Sequence, residues 1–195
     1  MTDTSIAAPP ARVAAPLRPG YIVAAIAALA AMTAAILGSS SWFLNFVHVM
    51  AGALWTGIDL FMGFVIGPVL RRVTLDSRRA MIAGIIPRTL ILMPTLSAIT
   101  STSGWFLALR LGFLDVGYPQ FWWVIAALGI VTVLTVQGLG ILLPMNLKLY
   151  FEIMKSDPDH DKLKRWMRTY VRVVALQGTM QVLIIVVMAR FATGF

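Results

Sequence analysis

Residues 42–70 read WFLNFVHVMAGALWTGIDLFMGFVIGPVL, a run of 29 residues whose single formal charge is Asp59. Such a run forms a helix about 43 Å long, which exceeds the ~30 Å hydrocarbon core of a bilayer. We therefore predict a membrane-spanning helix that is tilted or that leaves the bilayer near Gly67 and Pro68.

The rest of the 195-residue chain has the same apolar character. It is 59% hydrophobic and only 12% charged, and a soluble domain of this size cannot bury so much apolar surface. The absence of cysteine excludes disulfides, iron–sulfur clusters and thiolate metal sites. We predict an all-α, polytopic integral membrane helix bundle. Its five transmembrane helices are expected at residues 21–37, 42–70, 89–109, 121–144 and 172–189.

The basic residues predict the orientation of this bundle. All but two of the 16 Lys and Arg residues lie before the first span, between the second and third spans, or between the fourth and fifth; the exceptions are Arg110 and Arg190. By the positive-inside rule, the N-terminus and both basic loops are cytoplasmic. The net charge of +8 thus reflects topology in the lipid bilayer, and we do not expect nucleic acid as a partner.

The two ends of the chain differ in character. Residues 1–20 are rich in alanine and proline and are predicted to form a disordered cytoplasmic tail, whereas residues 21–195 are predicted to form a single transmembrane helical domain. The first span also fits a signal peptide, and its cleavage would leave four spans in the same orientation.

Two cytoplasmic segments are expected to be helical. Residues 78–88 are predicted to form an amphipathic piece that ends at Pro87, and residues 146–171 a helical hairpin. In the hairpin, Asp157 is the expected N-cap of a new helix, with Pro158 at its first position.

Four residues of the second span define one face of its helix. His48, Gly52, Trp55 and Asp59 follow the spacing i, i+4, i+7 and i+11, with His48 and Asp59 about 16 Å apart along the axis. Ionisable side chains inside a membrane are costly and usually face the bundle interior or a cavity. We therefore expect this face to point inward and to carry the function.

His48 belongs to an outer layer, for which two interpretations stay open. In the first, His48 is an axial ligand of haem b, a metal ligand or a quinone contact. In the second, it is a structural histidine bonded to hydroxyls of residues 100–103. The other histidine, His160, falls in the cytoplasmic hairpin, so a second haem ligand would be Met188, a residue of a partner chain in a homo-oligomer, or absent.

Asp59 belongs to an inner layer of polar residues. Gln137 on the fourth span and Gln177 and Gln181 on the fifth are expected at similar depth. These residues form either a proton or cation path, a substrate-polarising cluster, or a set of interhelical hydrogen bonds with a purely structural role. Asp59 itself is expected either to be protonated or to pair with Arg71 or Arg88 near the cytoplasmic edge.

The segment His48-x-x-x-Gly52-x-x-Trp55-x-Gly57, followed by Pro87-Arg88 and Gly104-Trp105, resembles a helix pair found in a group of bacterial membrane proteins. The group comprises copper-resistance protein CopD, HemJ-type protoporphyrinogen oxidases and the membrane domain of PuuD-type urate oxidases. The resemblance covers about 65 residues. It implies a four- or five-helix bundle in the bacterial cytoplasmic (inner) membrane, with His48 as a haem ligand and Arg88 as the contact for a propionate or another acidic group.

Three functions therefore stay open, and the sequence does not decide whether the protein is an enzyme. The first is a haem-associated redox or electron-transfer subunit that uses His48. The second is a non-enzymatic membrane subunit or scaffold, whose basic cytoplasmic loops bind a membrane or soluble protein partner. The third is a copper- or ion-handling protein, in which Asp59 and the glutamines line the path.

Overall fold

The computed structural model describes residues 19–153, 155 and 157–194. Residues 1–18 of the expected tail lie outside the described residues, as does the side chain of His160. The described residues form five helices: α1 (Pro19–Leu37), α2 (Ser41–Arg72), α3 (Leu75–Arg110), α4 (Phe121–Ile153) and α5 (His160–Ala192). All five are long and apolar enough to cross a membrane. The prediction of an all-α bundle with five such helices is confirmed.

Successive helices alternate in direction and give the bundle two distinct ends. We call the end with the C-terminus of α2, the N-terminus of α3 and the α4–α5 hairpin the basic end, because the arginine-rich loop and the hairpin lie there. At the opposite end, Ser40 caps α2 by accepting a hydrogen bond from the backbone N–H of Phe43, and the Arg110 guanidinium donates to the carbonyl of Ile36 at the end of α1.

The expected helix end at Pro87 is wrong. Helix α3 runs without a break through Pro87 and Pro94. Each proline removes one backbone N–H donor from the helix. Near them, Thr89 donates to the carbonyl of Ile86 at 3.1 Å and Thr95 to that of Ile91 at 2.7 Å, and these bonds add to the helix on either side of Pro94.

The α4–α5 hairpin lies where it was expected, but its N-cap differs. Asp159, not Asp157, caps α5: its side chain accepts from the backbone N–H of Lys162 at 2.9 Å. Glu152, 5% exposed at the end of α4, accepts from the backbone N–H of Asp159 and pairs with Lys155 and Lys162. These bonds fix the turn so that residue 159 takes the cap position.

Two of the helices contain a wide π-helical turn. Helix α2 has one at Met62–Ile66 and helix α4 has one at Val136–Leu142. Both turns lie between the middle of their helix and the basic end. Such turns are rare, and they occur frequently at functional sites.

Buried apolar residues hold the bundle together in two clusters. The first joins α2, α3 and α4, and the second joins α1, α2 and α3. Their members are Ala51, Trp55, Leu96, Ile99 and Leu134 in the first cluster and Ala35, Leu44 and Leu107 in the second. Because α2 contributes to both clusters, its inward face is fixed against the neighbouring helices, and this face carries His48 and Asp59.

Candidate functional site

Asp59 is the centre of a polar cluster between α2 and α5. Gln177 Nε2 donates to Asp59 Oδ2 at 2.5 Å, and Gln181 Nε2 donates to the same oxygen at 2.8 Å. The two glutamines are one helical turn apart and therefore share a face of α5. The structure thus brings together three of the four polar residues of the inner layer.

The cluster contains hydrogen-bonding capacity that the protein does not use. Gln177 is 3% exposed and Gln181 is 1% exposed. Within the described part of the chain, the Oε1 atom of each has no hydrogen-bond partner. A buried acceptor left unpaired costs about 1–3 kcal/mol.

Gln137 does not join this cluster. It lies in the π-helical turn of α4, is buried, and its Oε1 also has no partner among the described residues. It forms no hydrogen bond with Asp59, Gln177 or Gln181 in the described structure. The hydrogen bonds of the described residues therefore do not link Gln137 to the other three residues of the expected inner layer.

A cavity of about 610 Å³ extends from Asp59 between α2, α3, α4 and α5. Its walls are mostly apolar, and residues of both π-helical turns contribute to them, including Gly63 and Gly138. Arg71 and Arg78 also line it. Because Arg71 lies 12 residues beyond Asp59, the cavity spans roughly 18 Å along α2. It therefore connects the half-buried carboxylate of Asp59 with the basic end of the bundle.

Two aromatic side chains line the wall of this cavity together with Asp59. Trp55 is one turn before Asp59 on α2 and is 6% exposed. Tyr170 lies on α5, seven residues before Gln177. The cavity that holds the Asp59 carboxylate thus also has two aromatic side chains in its wall.

The arginines near the basic end do not neutralise Asp59. Arg78 donates to the carbonyls of Leu70 and Arg71 and so caps the C-terminus of α2. Arg88 is exposed, with its guanidinium 5.8 Å from the centre of the Tyr21 ring. Neither Arg71 nor Arg88 forms an ion pair with Asp59 in the described residues.

His48 is held against α3 in a defined orientation. Its Nδ1 lies 2.9 Å from the carbonyl oxygen of Thr100 and 3.4 Å from the hydroxyl of Ser103. A carbonyl oxygen only accepts, so Nδ1 carries the proton and donates it. In the neutral ring, Nε2 then carries the lone pair. The hydroxyl of Thr100 itself bonds back to the carbonyl of Leu96.

Glycine at position 104 is required for this arrangement. A Cβ atom added to Gly104 would lie 2.6 Å from Cε1 and 3.0 Å from Nδ1 of His48. At Gly52, one turn after His48, an added Cβ would be 3.4 Å from Cγ2 of Thr100. Both glycines therefore let α2 and α3 approach closely around the imidazole.

Arg88 of the expected haem site does not lie near His48. It lies 12 residues from Thr100 on α3, or about 18 Å along the axis. Met188 lies about 10 Å along α5 from Gln181, and His48 lies about 16 Å along α2 from Asp59, which accepts from Gln181, so the two residues differ by about 6 Å in height. His48 alone fits an axial ligand, because a ligating histidine typically donates its second N–H to a carbonyl.

Sequence reasoning did not predict three interactions of these sites. Gly104, already part of the quoted sequence motif, lies against His48; Tyr170 lines the Asp59 cavity; and Glu152 fixes the hairpin. Of these interactions, the one at Gly104 could have been predicted from the sequence, because Gly104 directly follows residues 100–103, whose hydroxyls were expected to contact His48.

Together, the fold and the site define a bundle of five helices that are long and apolar enough to cross a membrane, with a carboxylate on the wall of an internal cavity. Comparison with protein-family models, with curated proteins and with solved structures finds no match. Among the described residues, no group of three or more His, Asp or Glu side chains is placed to hold a metal ion.

Proposed function

We propose that the protein binds and moves a cation or a proton through the Asp59 cavity, as a multi-pass protein of the bacterial cytoplasmic membrane with its basic end in the cytoplasm. The observation that carries this proposal is the Asp59 carboxylate, which two glutamines hold on the wall of a cavity of about 610 Å³. Charged residues at membrane depth commonly mark ion pathways and proton relays.

The two hydrogen bonds give the carboxylate oxygens different roles. Oδ2 accepts from both Gln177 and Gln181 and is therefore fixed in place. Oδ1 accepts neither amide, and it is the oxygen at which a proton or cation is exchanged. Because Oδ2 accepts equally well in a carboxylate and as the carbonyl oxygen of a carboxylic acid, the cluster keeps its geometry during the exchange.

Flux through proteoliposomes tests this proposal. The wild-type protein, Asp59→Asn and Asp115→Asn are reconstituted in parallel, and the movement of protons and of sodium down an imposed gradient is followed. Asp115 is an exposed carboxylate between α3 and α4 and serves as the matched control. We expect Asp59→Asn to fall to the rate of protein-free liposomes and Asp115→Asn to match the wild type. Equal flux in all three proteins would overturn the proposal.

We propose haem b ligation by His48 as a second candidate. The observation that favours it is the donation from Nδ1 to the Thr100 carbonyl, which directs the lone pair to Nε2. Haem would supply one-electron redox chemistry, and His48 is the described residue that fits it. The absorption spectrum of the purified protein tests this candidate: a haem band near 400 nm is expected in the wild type and not in His48→Ala. A wild type without that band would contradict it.

A further inference from the structure

We infer that the ligand of the Asp59 cavity is an organic ammonium with an apolar body, in preference to a hydrated inorganic ion. This inference rests on the proposed function, because it names the class of cation that the same carboxylate takes.

The size and lining of the cavity argue for an organic body. Its volume of about 610 Å³ falls within the ~300–1,000 Å³ typical of small-molecule sites, which are mostly apolar with a few placed polar groups. A single inorganic ion would leave most of this volume without polar partners. Apolar walls favour instead a ligand with an apolar surface of its own.

The cavity wall offers a single acidic side chain to a hard metal ion. Ca²⁺ takes about 6–8 oxygen ligands, and Mg²⁺ requires an octahedral set. Among the described residues of the cavity wall, the acidic side chain is Asp59. An ammonium group needs few acceptors, because it has at most three N–H donors. The Asp59 carboxylate matches that requirement.

The aromatic residues of the cavity wall suit an organic cation. Trp55 and Tyr170 line the same cavity as Asp59. Tryptophan and tyrosine attract ammonium groups through the negative faces of their rings, and this attraction is strongest when water is excluded.

The charge of the cavity entrance also favours an apolar cation. Arg71 and Arg78 place positive charge at the basic end, which disfavours the entry of a hydrated cation from there. On the flank of the bundle, however, three apolar lining residues are largely exposed: Phe64 at 78%, Val171 at 49% and Val182 at 50%. An ammonium with an apolar body dissolves in the bilayer and reaches Asp59 from this side.

Binding of a matched pair of probes tests the inference. Adamantan-1-amine carries an ammonium on an apolar cage, and adamantan-1-ol is its neutral counterpart. Both are titrated by equilibrium dialysis against the full chain in lipid nanodiscs, with empty nanodiscs subtracted. We expect the amine to bind at least about tenfold more tightly than the alcohol. Asp59→Asn is expected to lose this preference, and Asp115→Asn is expected to keep it.

A second pair of variants tests the inference even if Asp59→Asn does not fold. Gly138 lines the cavity and Gly140 does not, although both lie in the π-helical turn of α4 with open space around an added Cβ. Gly138→Leu is expected to weaken amine binding by filling the cavity, whereas Gly140→Leu leaves it unchanged. Equal binding of the amine and the alcohol to the wild type, or equal effects of the two leucine variants, would overturn the inference.

The flux measurements and the binding measurements together separate this inference from the proposed function. If proton or sodium flux requires Asp59 while the amine shows no preference over the alcohol, the inference fails and the proposed function stands. If Asp59→Asn changes neither flux nor amine binding, both fail.

Discussion

At the scale of single residues, the absence of a side chain at Gly104 determines where the His48 imidazole lies. The imidazole occupies the space that a Cβ of residue 104 would fill, and there its Nδ1 donates to the Thr100 carbonyl. The orientation of the ring therefore depends on a neighbour that carries no polar group.

Replacing Gly104 with alanine is expected to displace His48. The new Cβ would lie 2.6 Å from Cε1, and overpacking of this kind lowers the free energy of unfolding by about 1–3 kcal/mol. We expect a lower midpoint of thermal unfolding in detergent, together with a changed ¹⁵N shift of His48 Nδ1. Gly57→Ala is the control, because nothing lies within 4 Å of its added Cβ and alanine favours the helix by up to about 1 kcal/mol. Equal stability of the two variants would contradict this account.

Helical periodicity predicted which residues of α2 share a face, but it did not predict their partners. His48 and Asp59 point into the bundle, as their spacing indicated. The atoms that they meet are a backbone carbonyl on α3 and two amides on α5. Which helices pack side by side, and at which height, depends on tertiary contacts that no local pattern contains.

At the scale of helices, the local rules for proline and for capping both placed boundaries wrongly. Helix α3 continues through Pro87, and nearby Thr89 adds a hydrogen bond to the carbonyl of Ile86. Helix α5 begins after Asp159, although Asp157 followed by Pro158 has the better sequence signal. The start of α5 is set by Glu152 on the preceding helix, because its carboxylate accepts a hydrogen bond from the backbone N–H of Asp159.

The cap assignment predicts different effects for two neighbouring aspartates. Asp159→Ala removes the acceptor of the Lys162 N–H and is expected to destabilise the first turn of α5 by about 1 kcal/mol. Asp157→Ala is expected to leave that turn unchanged. Hydrogen exchange at the amide of Lys162 measures both variants. Faster exchange in Asp157→Ala than in Asp159→Ala would contradict the assignment.

At the scale of the whole molecule, the sequence predicted the five long helices but not the cavity between them. The helices follow from apolar runs of sufficient length, which any window of the sequence displays. The cavity follows from the way four helices cross, and from two π-helical turns whose residues line it. Neither the crossings nor the turns have a pattern in the sequence.

The proposed orientation can be tested because the chain has no native cysteine. Ser77 lies near the start of α3 at the basic end, and Asp115 lies between α3 and α4 at the opposite end; both are exposed. In intact cells, a membrane-impermeant maleimide is expected to label Asp115→Cys and to label Ser77→Cys only after lysis. The reverse pattern would place the basic end outside the cytoplasm.

The central claim is that the Asp59 carboxyl group itself exchanges a proton or cation, and infrared difference spectroscopy observes that group directly. Spectra of the reconstituted protein are recorded before and after a change in pH or in cation concentration. We expect a change in the carboxyl bands that disappears in Asp59→Asn and persists in Asp115→Asn. It is also expected to persist in Gln137→Met, because Gln137 forms no hydrogen bond with the cluster. Identical carboxyl bands in the wild type and in Asp59→Asn would contradict it.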